Sequence, residues 1–137
     1  MLKIHARVSG SLRISSSAAF PWAGGRVACR RRWADIPQVK GLFFLSYPLH
    51  RPKSPDALGD THLNKISRPM IFVAGTRDIY AEPKALKSAV SRLTKRAQIH
   101  WIEGADRNFN KHKGKAICSK TLREIVQTLN NWIDSHK

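Results

Sequence analysis

Only two cysteines are present, Cys29 and Cys118, and neither has a second cysteine close by. That spacing excludes a C-x-x-C metal or redox motif, and the expectation is two reduced thiols in a cytoplasmic protein. No apolar run approaches the roughly 20 residues that a membrane-crossing helix needs, so no membrane partner is expected. Acids are the third scarcity: nine Asp and Glu face 25 Lys and Arg, leaving a formal net charge of +16. His50, His62, His100 and His136 show no ligand-like spacing with one another or with a cysteine. They read as surface or hydrogen-bonded histidines, and neither a metal nor a cofactor is expected.

What is there is one domain's worth of chain. The 137 residues are 42% apolar and include four Trp and five Phe, the composition of a globular protein with a core of moderate size. The positive charge is uneven. Residues 1–53 carry ten Lys and Arg against one acid, Asp35, whereas residues 54–137 carry fifteen against eight. The first twenty residues hold no acid and are rich in Arg and Ser, a composition shared by organellar transit peptides. One reading of this balance is a basic module that uses region 1–53 to bind nucleic acid or another polyanion. The sole basic cluster is Arg30, Arg31 and Arg32, and the aromatic and basic interleaving of an RNA-binding sheet is missing.

Along the chain, apolar runs alternate with amphipathic ones. "VKGLFFLSY" (39–47), between Pro37 and Pro48, and "MIFVAG" (70–75), entered from Pro69 and closed by Gly75, read as strands buried on both faces. Between them lies a proline-rich loop with room for one helical turn. Residues 82–95 place Leu86, Ala89, Val90 and Leu93 at helical spacing, with Glu82 and Pro83 at the start. "AQIHWIEG" (97–104) alternates as a third strand, which makes Trp101 a core candidate. The closing helix carries one stripe of Leu122, Ile125, Val126, Leu129, Trp132 and Ile133, with Ser119 as its cap. Strands alternating with helices predict an α/β fold, with three or four parallel strands and helices on both faces. Ligands in such sheets sit beyond the carboxyl ends of the strands, so the informative loops follow Leu45, Ala74 and Glu103.

Those loops hold candidate chemistry. "GTRDIY" puts Asp78 four residues beyond Ala74, and "EGADRNF" puts Asp106 and Arg107 in the matching place after the next strand. Upstream, "FPWAGGRVACRRRW" (20–33) has two glycines, Gly24 and Gly25, opening an apparent helix of Arg26, Val27, Ala28 and Cys29, in the manner of a strand-to-helix elbow. Elbow, acid, then a third residue is the chain order of a Ser, Asp, His triad.

On "GGRVA", "VKGLFFLSYPLHRP", "RPMIFVAGTRD", "IHWIEGADRNF" and the last helix, the chain from Gly24 to Trp132 resembles the C-terminal half of a small α/β-hydrolase. The branch it resembles is the dienelactone-hydrolase-like one, which includes a hydrolase-like subunit of chromatin acetyltransferase complexes. The resemblance implies a partial α/β-hydrolase fold over residues 24–137, a non-family basic segment at 1–23, and an ancestry in ester or acyl-bond hydrolysis. It places the family's acid on Asp78, its nucleophile on Trp22 and its histidine on Arg107.

Two of these three positions have lost their chemistry. An indole offers no nucleophilic oxygen or sulfur, and a guanidinium stays protonated and cannot act as a base. Ser15, Ser16, Ser17 and His112 lie near enough in sequence to be considered as replacements, but no spacing fixes them in a triad. The expectation is an inactive site with an Asp78–Arg107 ion pair in place of the acid–histidine contact. A coding run for Ser-Met-Gly read one nucleotide out of frame gives Pro-Trp-Ala, the residues at 21–23, so a slipped frame is one hypothesis for the lost serine. Half of such a sheet would also expose a strand edge, through which the chain is expected to self-associate.

Overall fold

The computed structural model describes residues 40–50, 63–112 and 115–136. Trp22, the Gly24–Gly25 elbow, the helix expected at Arg26, Cys29 and the Arg30–Arg32 cluster lie outside these residues. Three strands, β1 (Leu42–Leu45), β2 (Met70–Gly75) and β3 (Ala97–Ile102), form a parallel sheet in the order β1-β2-β3. The two helices are α1 (Pro83–Ser91), between β2 and β3, and α2 (Ser119–Asp134), after β3. The predicted parallel α/β arrangement is what the chain adopts.

Proline and glycine set the strand ends. Pro69 has no N–H to give, but its carbonyl accepts from Leu42 N at 2.9 Å, which starts the β1–β2 pairing at Leu42↔Met70. β1 is therefore shorter than the apolar run 39–47 that encodes it. It ends at Ser46, whose φ of 52° turns the backbone out of the extended region.

Because successive strand residues point to opposite faces, the sheet divides the core in two. Leu42, Phe44, Met70, Phe72 and Ala74 pack with Leu86, Ala89, Val90 and Leu93 on the α1 side. Phe43, Ile71 and Val73 pack with Ile125, Leu129, Trp132 and Ile133 on the α2 side. β2 is buried along its whole length, as a strand covered on both faces must be. In the first layer Phe44 and Phe72 stack at 4.8 Å, with Tyr47 edge-on to Phe44 at 5.2 Å and to Phe72 at 5.7 Å.

Four details differ from expectation. Trp101 is half-buried rather than core, because β3 borders the described sheet; Lys87 Nζ lies 5.9 Å from its ring centre. α1 stops at Ser91, short of residue 95. The chain then tightens through a 3-10 turn, Thr94–Arg96, and Arg96 donates to the carbonyls of Leu93 (3.4 Å) and Ile66 (2.9 Å) before β3 begins. Cys118, not Ser119, occupies the cap position of α2, and its carbonyl accepts the first helical bond from Leu122 N at 3.0 Å. In the α2 stripe Leu122 and Val126 are only half-buried, while Thr121 is buried with its hydroxyl 3.1 Å from Cys118 Sγ.

Candidate functional site

The loops that follow β1, β2 and β3 meet at the carboxyl edge of the sheet. Gly75 closes β2 because nothing larger fits there: a Cβ on it would fall against the carbonyl oxygens of Ala105 and Asp106. Arg77 clamps the third loop to the second. Its backbone N–H donates to Ala105 O at 2.9 Å, and its side chain donates to Gly104 O at 2.7 Å, Lys111 O at 2.9 Å and Asn110 O at 3.4 Å. Thr76 Oγ1 accepts from Gly104 N at 2.8 Å. Within the loop, Asp106 Oδ1 accepts from the N–H groups of Asn108 (2.8 Å) and Asn110 (3.0 Å), folding the backbone around residue 107. Ser46 Oγ, from the first loop, donates to Arg107 O at 2.6 Å.

Asp78 stands at the centre of this frame and is only 2% exposed. Its Oδ1 accepts from Tyr80 N at 2.9 Å, whereas Oδ2 is buried and takes no hydrogen bond. Burial pushes the carboxyl above its ordinary value of 3.8; the Tyr80 N–H and the positive field of Arg107 oppose the shift without cancelling it. Of the expected Asp78–Arg107 pairing, the Coulombic attraction is present, and it favours the ionised form of Asp78. The Arg107 guanidinium also lies over Tyr80, its Cζ 5.0 Å from the ring centre, where a cation and a π face attract. His50, from the first loop, approaches the same ring at 5.9 Å.

Asp78 and Arg107, predicted to converge from the trailing loops of adjacent strands, do so; the position of Trp22 relative to them lies outside the described residues. His112 follows the third loop and is exposed. His100 and His136 are hydrogen-bonded elsewhere. His100 Nε2 lies 3.2 Å from Glu124 Oε1, and His136 Nδ1 lies 2.8 Å from Trp132 O. Among the described residues no three His, Cys, Asp or Glu side chains gather as a metal site. No helix among them is long and apolar enough to cross a membrane. The Arg77 clamp and the Ser46 and His50 contacts were not foreseen from the sequence. The one available signal was the adjacency of Arg77 to Asp78 in "GTRD".

A family profile for the alpha/beta hydrolase domain matches residues 22–134, about four-fifths of the chain, and covers this site. The chain belongs to the α/β-hydrolase family. Solved structures agree on the fold. The chain is similar to the esterase domain of a Rhodothermus marinus protein (TM-score 0.57, 12% identity, 80% of this chain and 56% of that one). It is similar to an Agrobacterium tumefaciens protein of unknown function (TM-score 0.56, 14% identity, 77% and 45%). A candidate dienelactone hydrolase from Klebsiella pneumoniae subsp. pneumoniae MGH 78578 is also similar (TM-score 0.53, 18% identity, 73% and 44%). The α/β-hydrolase chain described here thus spans about half the length of each of these structures. Its three parallel strands and flanking helices correspond to a partial α/β-hydrolase fold.

Proposed function

We propose that this chain is a non-hydrolytic member of the α/β-hydrolase family, of the dienelactone-hydrolase-like branch, in which the site inherited from an acyl hydrolase keeps its acid but has neither base nor nucleophile. One observation carries the reading: Asp78 is buried at the end of β2 with Oδ2 unpaired, and the residue delivered beside it is Arg107. An imidazole between that acid and a serine would accept a proton from the hydroxyl and be held by the carboxylate. A guanidinium accepts no proton at any pH a protein survives, so the acid has nothing to orient. Trp22, at the nucleophile position of the family order, adds an independent loss because an indole cannot form an acyl-enzyme.

Hydrolysis of p-nitrophenyl acetate and butyrate tests the proposal. The unmodified chain is expected to match buffer, and Arg107→His alone likewise, since a base without a nucleophile is idle. The Trp22→Ser, Arg107→His pair is the variant in which activity can reappear. Turnover in the unmodified chain that is abolished by Asp78→Asn would overturn the inactive-site reading. The polyanion alternative rests on region 1–53, and nucleic-acid affinity that falls steeply with salt would favour it instead.

A further inference from the structure

We propose that the outer edge of β3 pairs with the same edge of a second copy of this chain, antiparallel and about a two-fold axis at Ile99, so that two sheets join into one. The self-association expected of an exposed strand edge is thereby assigned to β3, and it holds whether or not the site above is hydrolytic.

The sheet runs β1-β2-β3, and among the described residues no strand pairs with β3 on its far side. In an extended strand the N–H and C=O of one residue point to the same side, and those of the next residue to the other. Ile102 O accepts from Thr76 N at 3.2 Å, so Ile102 faces β2, and with it His100 and Gln98. The main-chain groups of Ala97, Ile99 and Trp101 therefore point outward. They form a bare row of donors and acceptors, the kind of edge on which another strand can build. The usual devices that blunt such an edge are missing: Ala97–Ile102 holds neither proline nor lysine, and no bulge interrupts its register. The side chains of the same three residues lie on the α1 face, packed against the core yet only half-buried.

The row matches itself. With the two-fold axis on Ile99, Ala97 of one copy faces Trp101 of the other, Ile99 faces Ile99, and every outward N–H and C=O gains a partner. An axis at Gln98 leaves Trp101 beyond the end of the opposing strand, and an axis at His100 leaves Ala97 beyond it. The Ile99 register sets the large indole against the small methyl and one isoleucine against the other. On the α2 face Gln98 stands across from His100, polar against polar. Charge agrees with this register. Lys95, exposed before β3, and Glu103, exposed after it, come to the same end of the paired strands, each copy's cation beside the other's acid. The Glu103 carboxylate takes a hydrogen bond from Thr76 Oγ1 at 3.3 Å and keeps acceptor sites to spare. With nine acids against 25 Lys and Arg, most surfaces of this chain would meet a second copy cation to cation. An unrelated extended peptide would satisfy the main chain but not this self-match, which is what an isologous contact requires.

Sedimentation velocity of the full chain over a dilution series at physiological salt is expected to show a monomer–dimer equilibrium with a micromolar Kd. Ile99→Pro removes an outward N–H and no bond within the sheet, so the chain should keep its circular dichroism but associate about tenfold or more weakly. Lys95→Glu and Glu103→Lys each set like charges together and should each weaken the dimer. The double reversal should restore it, a rescue that a folding defect does not give. Ile79→Ser removes a 68% exposed apolar side chain from the loop after β2 and should leave association unchanged. If Ile99→Pro does not fold, the charge reversals carry the test. A chain that stays monomeric to about 100 µM would overturn the proposal. So would equal association in a folded Ile99→Pro, absence of rescue, loss of the dimer in Ile79→Ser, or open-ended growth beyond a dimer, since a two-fold contact closes.

Discussion

Replacing Gly75 with alanine tests whether the third loop is seated on the end of β2 as tightly as its geometry indicates. The new Cβ would fall against Ala105 O and stand 2.6 Å from Asp106 O, closer than the 3.0 Å that real Cβ atoms respect. Both obstacles are backbone, so no side chain can swing aside. The loop must retreat, and the Arg77 N–H bond to Ala105 O, now 2.9 Å, is the first to part. Overpacking of this kind costs about 1–3 kcal/mol and the lost hydrogen bond about 1 kcal/mol more. At roughly 3–5 °C per kcal/mol for a domain of this size, the melting temperature should fall by about 6–20 °C, read from circular dichroism at 222 nm. Gly104 is the matched control. Its φ is 69° and nothing lies within 4 Å of an added Cβ, so Gly104→Ala meets only the backbone penalty of about 1–2 kcal/mol. Gly104→Asn should recover part of that loss, because asparagine tolerates the left-handed region. If Gly75→Ala melts within about 2 °C of the parent, or is milder than Gly104→Ala, the seating argument fails.

The Asp78 carboxyl supplies a pH test. Its folded pKa lies above the unfolded 3.8, so the folded chain holds this proton more tightly. Asp78's contribution to stability is therefore greatest in acid and is lost as pH rises through the folded pKa. Asp78→Asn cannot ionise, and its stability relative to the parent in urea should improve from pH 4 toward pH 7; a flat or opposite difference refutes the assignment. Cys118 supplies a third test. Its thiol is exposed and its pKa is lowered, chiefly by the Thr121 hydroxyl. Iodoacetamide at neutral pH should alkylate Cys118 more slowly in Thr121→Val, as read by peptide mass spectrometry, and equal rates would remove the hydroxyl from the explanation.

Much of this architecture is written in local sequence. β2 was legible to the residue, since Pro69 and Gly75 punctuate a run whose burial on both faces leaves no polar position to confuse it. β1 was over-read. Its apolar residues continue past Leu45, but pairing needs a partner, and what limits it is where β2 begins and how Ser46 turns. The amphipathic stripe located α2, yet the buried Thr121, its hydroxyl 3.1 Å from the Cys118 thiol, does not stand out in a stripe of apolar residues. At the site, strand order alone brought Asp78 and Arg107 together. The stacking of the guanidinium on Tyr80 is a contact that no spacing rule reports. The Arg77 clamp escaped for the same reason, since its acceptors lie 27 or more positions away in the chain.

Bonds that shape the loop around residue 107 come from Thr76, Arg77, Asp106 and Ser46, and of these only the Ser46 bond reaches residue 107, at its carbonyl oxygen. These bonds do not call on the side chain that the loop displays. On the non-hydrolytic reading proposed above, a lineage could exchange a proton carrier for a permanent cation at this socket and keep the bonds that shape the loop. If that reading holds, loss of chemistry need not bring decay of the protein, since the old architecture can outlast it.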